Sequence, residues 1–450
     1  MNDESPRRFV VDFGRQLGPV RPLNGVNLGP LAMNGMLDLT AAHRELKVPL
    51  TRLHDVPYIV QDTVDVHHIV RNREADPDDP ANYTFTRTDA YIQSILETGS
   101  QIVYRLGESI DHFRSKTFIH PPADVEKYAT VCANIARHYN YGWADGFRYG
   151  IPYWEIWNEP NNPPCWSGTM EQFCQLYEAI ARKLKALDPS LQVGGCGMAG
   201  DSPCWEQGLG FLEYCARRDC PLDFFSWHIY TSQPAKVVER ARCVRRLLDD
   251  HGLTDTKSHL NEWNYLAGDS WAVQLSGDPV VRRDSFENQL GGAPGGAFTA
   301  AVLMLLQGEP VDELMYYFSV NGWWGLYDTY GVPTPAYHVL RAFARLREMP
   351  TRVAAEGSDA EAGLAVCAAL RPKDSALVLL SNLQYVQDEY EVDLKHLPWD
   401  GAIRSRAHMI DARREPVPLP PVDLPRGKRT LRVALPPQTV CLLELQPRLD

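Results

Sequence analysis

The chain has 450 residues, with 45 basic against 57 acidic side chains and a formal charge of −12. That length exceeds one ordinary core and suits a domain of about 250 to 350 residues plus a smaller one, while the acidic balance disfavours nucleic acid as a partner and leaves a neutral small molecule compatible. No stretch approaches the roughly 20 apolar residues of a membrane span, and Met1 to Pro6 is acidic and polar where an export signal is basic and then apolar, so the expectation is no membrane partner and a cytoplasmic location.

The ten cysteines are scattered with no Cys-x-x-Cys pair. Buried free thiols in a reducing compartment are the favoured reading, with a bond between the close pair Cys215 and Cys220 left open.

In chain order, Arg7 to Phe13 reads as a strand, and Gly25-Val26-Asn27 follows as the first strand of a repeating pattern. A modest helix is predicted over Leu37 to Leu46, and a second strand over Val48 to Asp55 carries Arg52 and His54 to its end. Val56 to Tyr83 is a polar, proline-broken excursion, and its adjacent His67 and His68 lack the i, i+4 spacing of a helical metal pair, so a solvated loop over one rim is expected. A helix around Tyr91, Ile95 and Leu96 stops at Gly99. The third strand, Gln101 to Leu106, ends on Gly107-Glu108-Ser109 and makes Glu108 a substrate-facing candidate.

Apolar residues repeat at three and four from Val125 to Tyr139 and again from Phe173 to Leu187, which predicts two amphipathic helices. Between them, Tyr153 to Asn161 alternates large apolar residues with Glu155 and stops at Asn158-Glu159-Pro160, because proline cannot extend a ladder. Further strands are predicted at Leu191 to Gly195, Phe224 to Tyr230, Ser258 to Asn264 and Leu314 to Val320, with helices at Val237 to Leu248, Ala297 to Leu306 and Ala336 to Leu346. Eight short apolar strands alternating with helices predict a (β/α)₈ barrel spanning residues 21–350, whose site lies at the C-terminal strand ends. Glu159 and Glu262 both fall there. After Pro350 the pattern turns to alternation without helices, in segments at Gly363 to Leu370, Ala376 to Leu383, Tyr390 to Leu394, Arg404 to Ile410 and Leu431 to Leu445. This is an antiparallel β-sandwich domain over residues 351–450, with Pro416 to Pro425 as a connection.

Trp157-Asn158-Glu159-Pro160, followed far downstream by Asn261-Glu262-Trp263-Asn264, resembles the acid/base and nucleophile strands of the retaining glycoside hydrolases of clan A. Within that clan the chain is most similar to family 39, the family of β-xylosidases and α-L-iduronidases. The likeness runs from Gly25-Val26-Asn27 through Arg52-Leu53-His54 and Ser226-Trp227-His228-Ile229-Tyr230 to Gly325-Leu326-Tyr327-Asp328. The Gly107-Glu108-Ser109 end has no match in it.

The resemblance implies Glu159 as acid/base and Glu262 as nucleophile, about 5 to 5.5 Å apart in a retaining site. It also implies Asn158 on the sugar 2-hydroxyl and a place for residues 1–20 in the terminal β domain. Arg52 is expected to pair with Glu262 and keep it ionised, and Glu155 to be a paired interior carboxylate. His54, His228 and Tyr230 are expected to line the pocket, although a satisfied barrel histidine is the competing reading for either His. Trp263, Trp323 and Trp324 are candidates for stacking on a sugar face. No metal motif, P-loop or dinucleotide fingerprint accompanies them, so no metal and no cofactor are expected.

The activity implied is a retaining exo-glycosidase of β-xylosidase type acting on short glycosides. Alternatives are an endo-acting or other-sugar hydrolase, which an open groove would select, and a carbohydrate-binding or sensing protein without turnover. A homo-oligomer stays open.

Overall fold

The structure is a computed structural model that describes residues 7–70, 72–200, 206–412 and 415–448; Met1 to Pro6 and Cys204 lie outside these. Eight parallel strands close into a barrel: β1 (Gly25–Asn27), β2 (Leu50–Arg52), β3 (Gln101–Leu106), β4 (Tyr153–Ile156), β5 (Gln192–Met198), β6 (Phe224–Thr231), β7 (Lys257–Tyr265) and β8 (Glu313–Tyr316). The helices around it are α1 (Thr40–Leu46), α2 (Thr86–Leu96), α3 (Val125–Tyr141), α4 (Met170–Leu187), α5 (Glu206–Arg218), α6 (Pro234–Asp250), α7 (Ala293–Leu305) and α8 (Pro335–Arg347).

Local chemistry fixes their ends. The Thr169 side chain accepts from the Gln172 backbone and the Gln172 side chain accepts from the Thr169 backbone, a reciprocal capping box that starts α4. Asp124 caps α3, and Gly142 ends it at φ +75°.

Most helices show one apolar stripe, but α7 is apolar all round and buried along nearly its whole length. The reason is tertiary: the terminal sheet covers the side of α7 that the barrel does not, and Ser381 Oγ donates to the Ala297 carbonyl across the junction at 2.9 Å. The same covering makes strand Leu364–Arg371 of that sheet continuously apolar. Leu364, Val366, Ala368 and Leu370 face the terminal domain's own core, and Ala365, Cys367 and Ala369 face the barrel.

This domain is one ten-stranded sheet. The strand Arg7–Gln16 lies within it, antiparallel to Thr351–Glu356 and parallel to Glu389–Lys395, so the sheet contains a parallel pair. Phe9 stacks on Tyr390 in its core.

Three expected boundaries move. The first helix starts at Thr40, since Leu37–Asp38 pairs with Leu31–Ala32 as a short hairpin. Leu431 to Leu445 is two strands, Thr430–Ala434 and Thr439–Pro447, separated at Pro436-Pro437 where no ladder donor exists. The proline-rich connection supplies two short edge strands, Val417–Pro418 and Val422–Leu424, paired to Ile403–Ile410.

His67 is not in a solvated loop. It lies in a short helix, Val66–Ile69, stacked on Phe118 at 3.7 Å and bonded to Glu108. Nine described cysteines are free thiols, Cys215 and Cys220 among them. Among the described residues no single helix is long and apolar enough to cross a membrane.

Candidate active site

At the C-terminal mouth of the barrel a cavity of about 790 Å³ is lined by Asn158, Glu159, His228, Tyr230 and Glu262, together with His54, Asp55, Tyr317, Trp271 and Trp324. Both glutamates reach it because of local backbone departures. Glu159 follows β4 with φ +46°, a left-handed conformation that a strand could not continue. On β7 the register slips between Leu260 and Glu262, so that Glu262 pairs with His228 while Leu260 pairs with Trp227. This bulge at Asn261 lets two consecutive side chains point inward: Asn261 Nδ2 donates to Glu155 at 2.5 Å, and Glu262 faces the cavity.

Alternation resumes past the bulge, and it corrects the expectation for Trp263. That side chain points outward and is buried against Phe298 and Tyr316, away from the cavity. The adjacent tryptophans Trp323 and Trp324 likewise diverge. Trp324 enters the cavity wall, edge-on to Tyr230, whereas Trp323 turns out of it to stack on Phe286 beneath the Arg282 guanidinium. Glu108 is also corrected: buried below Gly107, it is bonded by His67 at 2.6 Å and Arg73 at 2.7 Å and does not line the cavity.

The two glutamates are joined through His228. Its Nδ1 lies 2.7 Å from Glu159 Oε1 and 2.9 Å from Glu262 Oε2, and since ionised carboxylates only accept, Nδ1 carries the proton. One oxygen of each glutamate lies within 4.8 Å of the other. Glu262 also receives Tyr230 Oη at 2.7 Å and Arg52 Nη1 at 3.4 Å, and Glu159 receives Asn162 Nδ2 at 2.7 Å.

Beneath this pair Arg52 is fully buried and used on every side. It donates to Glu155 at 2.6 Å, Asn158 Oδ1 at 2.6 Å and Asn27 Oδ1 at 3.1 Å as well as to Glu262. Glu155 is thus an interior partner, completed by Ser226 Oγ at 2.6 Å. Arg52 itself stands below the cavity floor and does not line it. Asn158, with its oxygen held by Arg52, has its amide nitrogen next to nothing stronger than the Cys165 thiol at 3.8 Å, which leaves it free to donate into the cavity.

Burial alone would raise the proton affinity of Glu262, but the His228 imidazolium and the Arg52 guanidinium overcome it and hold the carboxyl well below the usual range. Burial pulls His228 the other way from the two carboxylates, whose combined effect wins and lifts it to about 9. His54 is held well below 6.5 by burial and by Arg52, hence neutral, and so adds no charge to the site. Asp55, raised to about 7 by burial and by the Glu262 charge, is a third carboxyl in the cavity.

Among the described residues two groups of side chains bring oxygens and nitrogens together at metal-ligand range, Glu159 with His228 and Glu262, and Asp65 with His67 and Glu108. In the first a protonated imidazole occupies the centre, and in the second Arg105 and Arg73 pair the carboxylates. Organic cations thus stand where an ion would.

The sequence reading missed Asp55, Asn162, Cys165, Tyr317 and Trp271 among the cavity residues. Asp55 adjoins the Arg52-Leu53-His54 motif and Asn162 follows Glu159 by three residues, so proximity to a motif was an available signal for those two. The others come from a loop, the residue after β8 and the start of a short helix, Trp271–Gln274, whose aim no periodicity encodes.

The family model for glycosyl hydrolases family 39 matches residues 36–391. A β-xylosidase of Geobacillus stearothermophilus is 27% identical over 323 residues, covering 62% of this chain and 59% of that protein. The human α-L-iduronidase is 25% identical over 294 residues, covering 60% of this chain and 43% of that protein. The chain thus matches less than two thirds of either relative's length. Among solved structures, a glucosidase from Croceicoccus marinus shares the fold with a TM-score of 0.81 at 24% identity, over 99% of this chain and 100% of that one.

Proposed function

The chain belongs to glycosyl hydrolases family 39, and from that premise we propose that it is a retaining exo-glycosidase of β-xylosidase type, cleaving a terminal sugar from a short glycoside by double displacement. One observation carries the reading: two strand-end carboxyls with oxygens within 4.8 Å share one cavity. That spacing suits a carboxylate attacking the anomeric carbon directly and is shorter than the roughly 6.5 to 9.5 Å between the carboxyls of an inverting site. A cavity of this volume accommodates a monosaccharide with a modest aglycone and supports exo action.

Glu262 is the nucleophile, because it is the deeper carboxylate and is kept ionised by His228 and Arg52. Glu159 is the acid/base. Glu159, 2.7 Å from His228 Nδ1, takes the proton for the leaving oxygen from solvent, so that the imidazolium stays charged beside Glu262. In the first step Glu262 forms a bond to the anomeric carbon, the glycosidic C–O bond breaks and the Glu159 proton goes to the leaving oxygen. In the second, Glu159 takes a proton from water as the water oxygen attacks the same carbon and Glu262 departs, which returns the site to its armed state. Asn158 Nδ2 donates to the sugar, and Trp324 offers it an apolar face.

The test is azide rescue of Ala variants on an aryl glycoside with a very acidic leaving group. Glu159→Ala should accumulate glycosyl-enzyme and give a glycosyl azide of retained configuration, because azide needs no general base. Glu262→Ala should give the inverted azide by direct attack. Products the other way round exchange the two roles, and full activity in both variants removes the site.

A further inference from the structure

Asp55 is the cavity group for which the double displacement has no use. It leaves β2 at φ +51°, which turns its side chain back over the strand end toward Tyr317. Tyr317 Oη donates to Oδ2 at 2.8 Å, and His54 Nε2 lies 3.4 Å from the same oxygen. The other oxygen, Oδ1, is buried and has no protein partner. A buried carboxyl oxygen left unpaired costs free energy, so at the cavity wall it pairs with water until a hydrogen-bond donor of the bound ligand takes that place. Tyr317 packs edge-on to Tyr230, whose hydroxyl holds the nucleophile, which puts Asp55 on the wall of the terminal-sugar site and not out at the aglycone.

The charges around this wall point in one direction. Among the described residues no lysine or arginine lines the cavity, and besides His54 and His228 its one other imidazole is that of the exposed His112. The nearest guanidinium, Arg52, is spent on Glu155, Asn27, Asn158 and Glu262, and the His228 proton is shared between the two glutamates. A substrate carboxylate entering here would meet Glu262 and Asp55 with no free cation to receive it. A ring hydroxyl would meet an acceptor.

We propose that Asp55 is a specificity-determining residue: its unpartnered Oδ1 accepts a hydrogen bond from a ring hydroxyl of the terminal sugar, and its carboxyl excludes uronic acids, so the substrates are neutral glycosides. This rests on the glycosidase reading above.

The experiment uses the neutral 4-nitrophenyl glycoside that the wild type turns over fastest, its monodeoxy analogues and the corresponding 4-nitrophenyl uronide. In the wild type, assayed at a pH above the value of about 7 at which Asp55 ionises, deleting the hydroxyl that Asp55 binds should lower kcat/KM by roughly 10- to 100-fold, the scale of a hydrogen bond to a charged group. In Asp55→Ala the same deletion should cost less than about threefold, because the partner is already gone. Asp55→Asn, which keeps the volume and an oxygen for Tyr317, should narrow the preference for neutral sugar over uronide by about tenfold or more. A deoxygenation cost equal in wild type and Asp55→Ala overturns the assignment, as does a wild type that cleaves the uronide as well as the neutral glycoside. A wild type that cleaves only the uronide also overturns the assignment and leaves the glycosidase reading standing, whereas one inactive on the uronide and on every neutral glycoside removes the glycosidase reading, and this inference with it.

Discussion

Replacing Glu262 by Gln keeps the side chain's shape and deletes the charge that does most to hold a proton on His228. Burial pushes the imidazole's proton affinity down, Glu262 and Glu159 push it up, and the balance stands at about 9 against an ordinary 6.5. With a neutral amide 2.9 Å from Nδ1, burial is opposed by Glu159 alone. The expected outcome is a fall to 6.5 or below. The span from 6.5 to about 9 corresponds to ~3 kcal/mol, at about 1.4 kcal/mol per pH unit. Because the folded value lies above the unfolded one, this stabilisation is fully present below pH 6.5 and is lost as pH rises through about 9. In Glu262→Gln it is missing throughout that window. Two measurements check this: a ¹³C-histidine NMR titration, with the His228 signal identified by its loss in His228→Asn, and urea unfolding of both proteins across the window. The wild type should lose ~3 kcal/mol more than Glu262→Gln between its ends. A His228 in Glu262→Gln that still titrates above about 8 refutes the reasoning, because the charge would then come from elsewhere.

Trp324→Ala should raise KM about tenfold or more on aryl glycosides, while Trp323→Ala stays within about threefold of wild type, since only the former lines the cavity. Equal effects in steady-state kinetics would contradict their divergence. A Cβ on Gly197, at φ +61°, would come 2.8 Å from His228 Nε2 and 3.1 Å from Asn158 Oδ1. Gly197→Ala should therefore lower kcat/KM by about 100-fold, on the scale of a 1 Å misplacement of catalytic groups, with the protein still folded by circular dichroism. Unchanged kinetics would show that the neighbours yield without cost. Arg52→Met leaves Glu155 buried without its cation and should destabilise the barrel by about 3 to 5 kcal/mol in urea unfolding. A loss under about 1 kcal/mol would refute the claim that this ion pair supports the barrel.

The alternation of short apolar strands with three-and-four periodic helices was enough to determine the barrel, because each pattern follows from which side of an element is covered. Tyr153 to Asn161 and Ser258 to Asn264 marked strand ends carrying carboxylates, since proline and amide-rich turns stop ladders in any context. What the sequence could not contain is direction at the departures from periodicity. One extra residue at Asn261 decides that Glu262 points in and Trp263 points out. A loop aims Trp324 at the cavity and Trp323 away from it. Glu108, a strand-end carboxylate like the other two, is taken by His67 and Arg73, which lie some 35 to 41 positions earlier in the chain, in a short helix and the segment after it. Charge state was equally out of reach, because it depends on distance and burial. His228 holds its proton only because strands β4 and β7 bring two carboxylates to the same nitrogen, while His54, two residues from Arg52 in the chain and buried beside it, holds none.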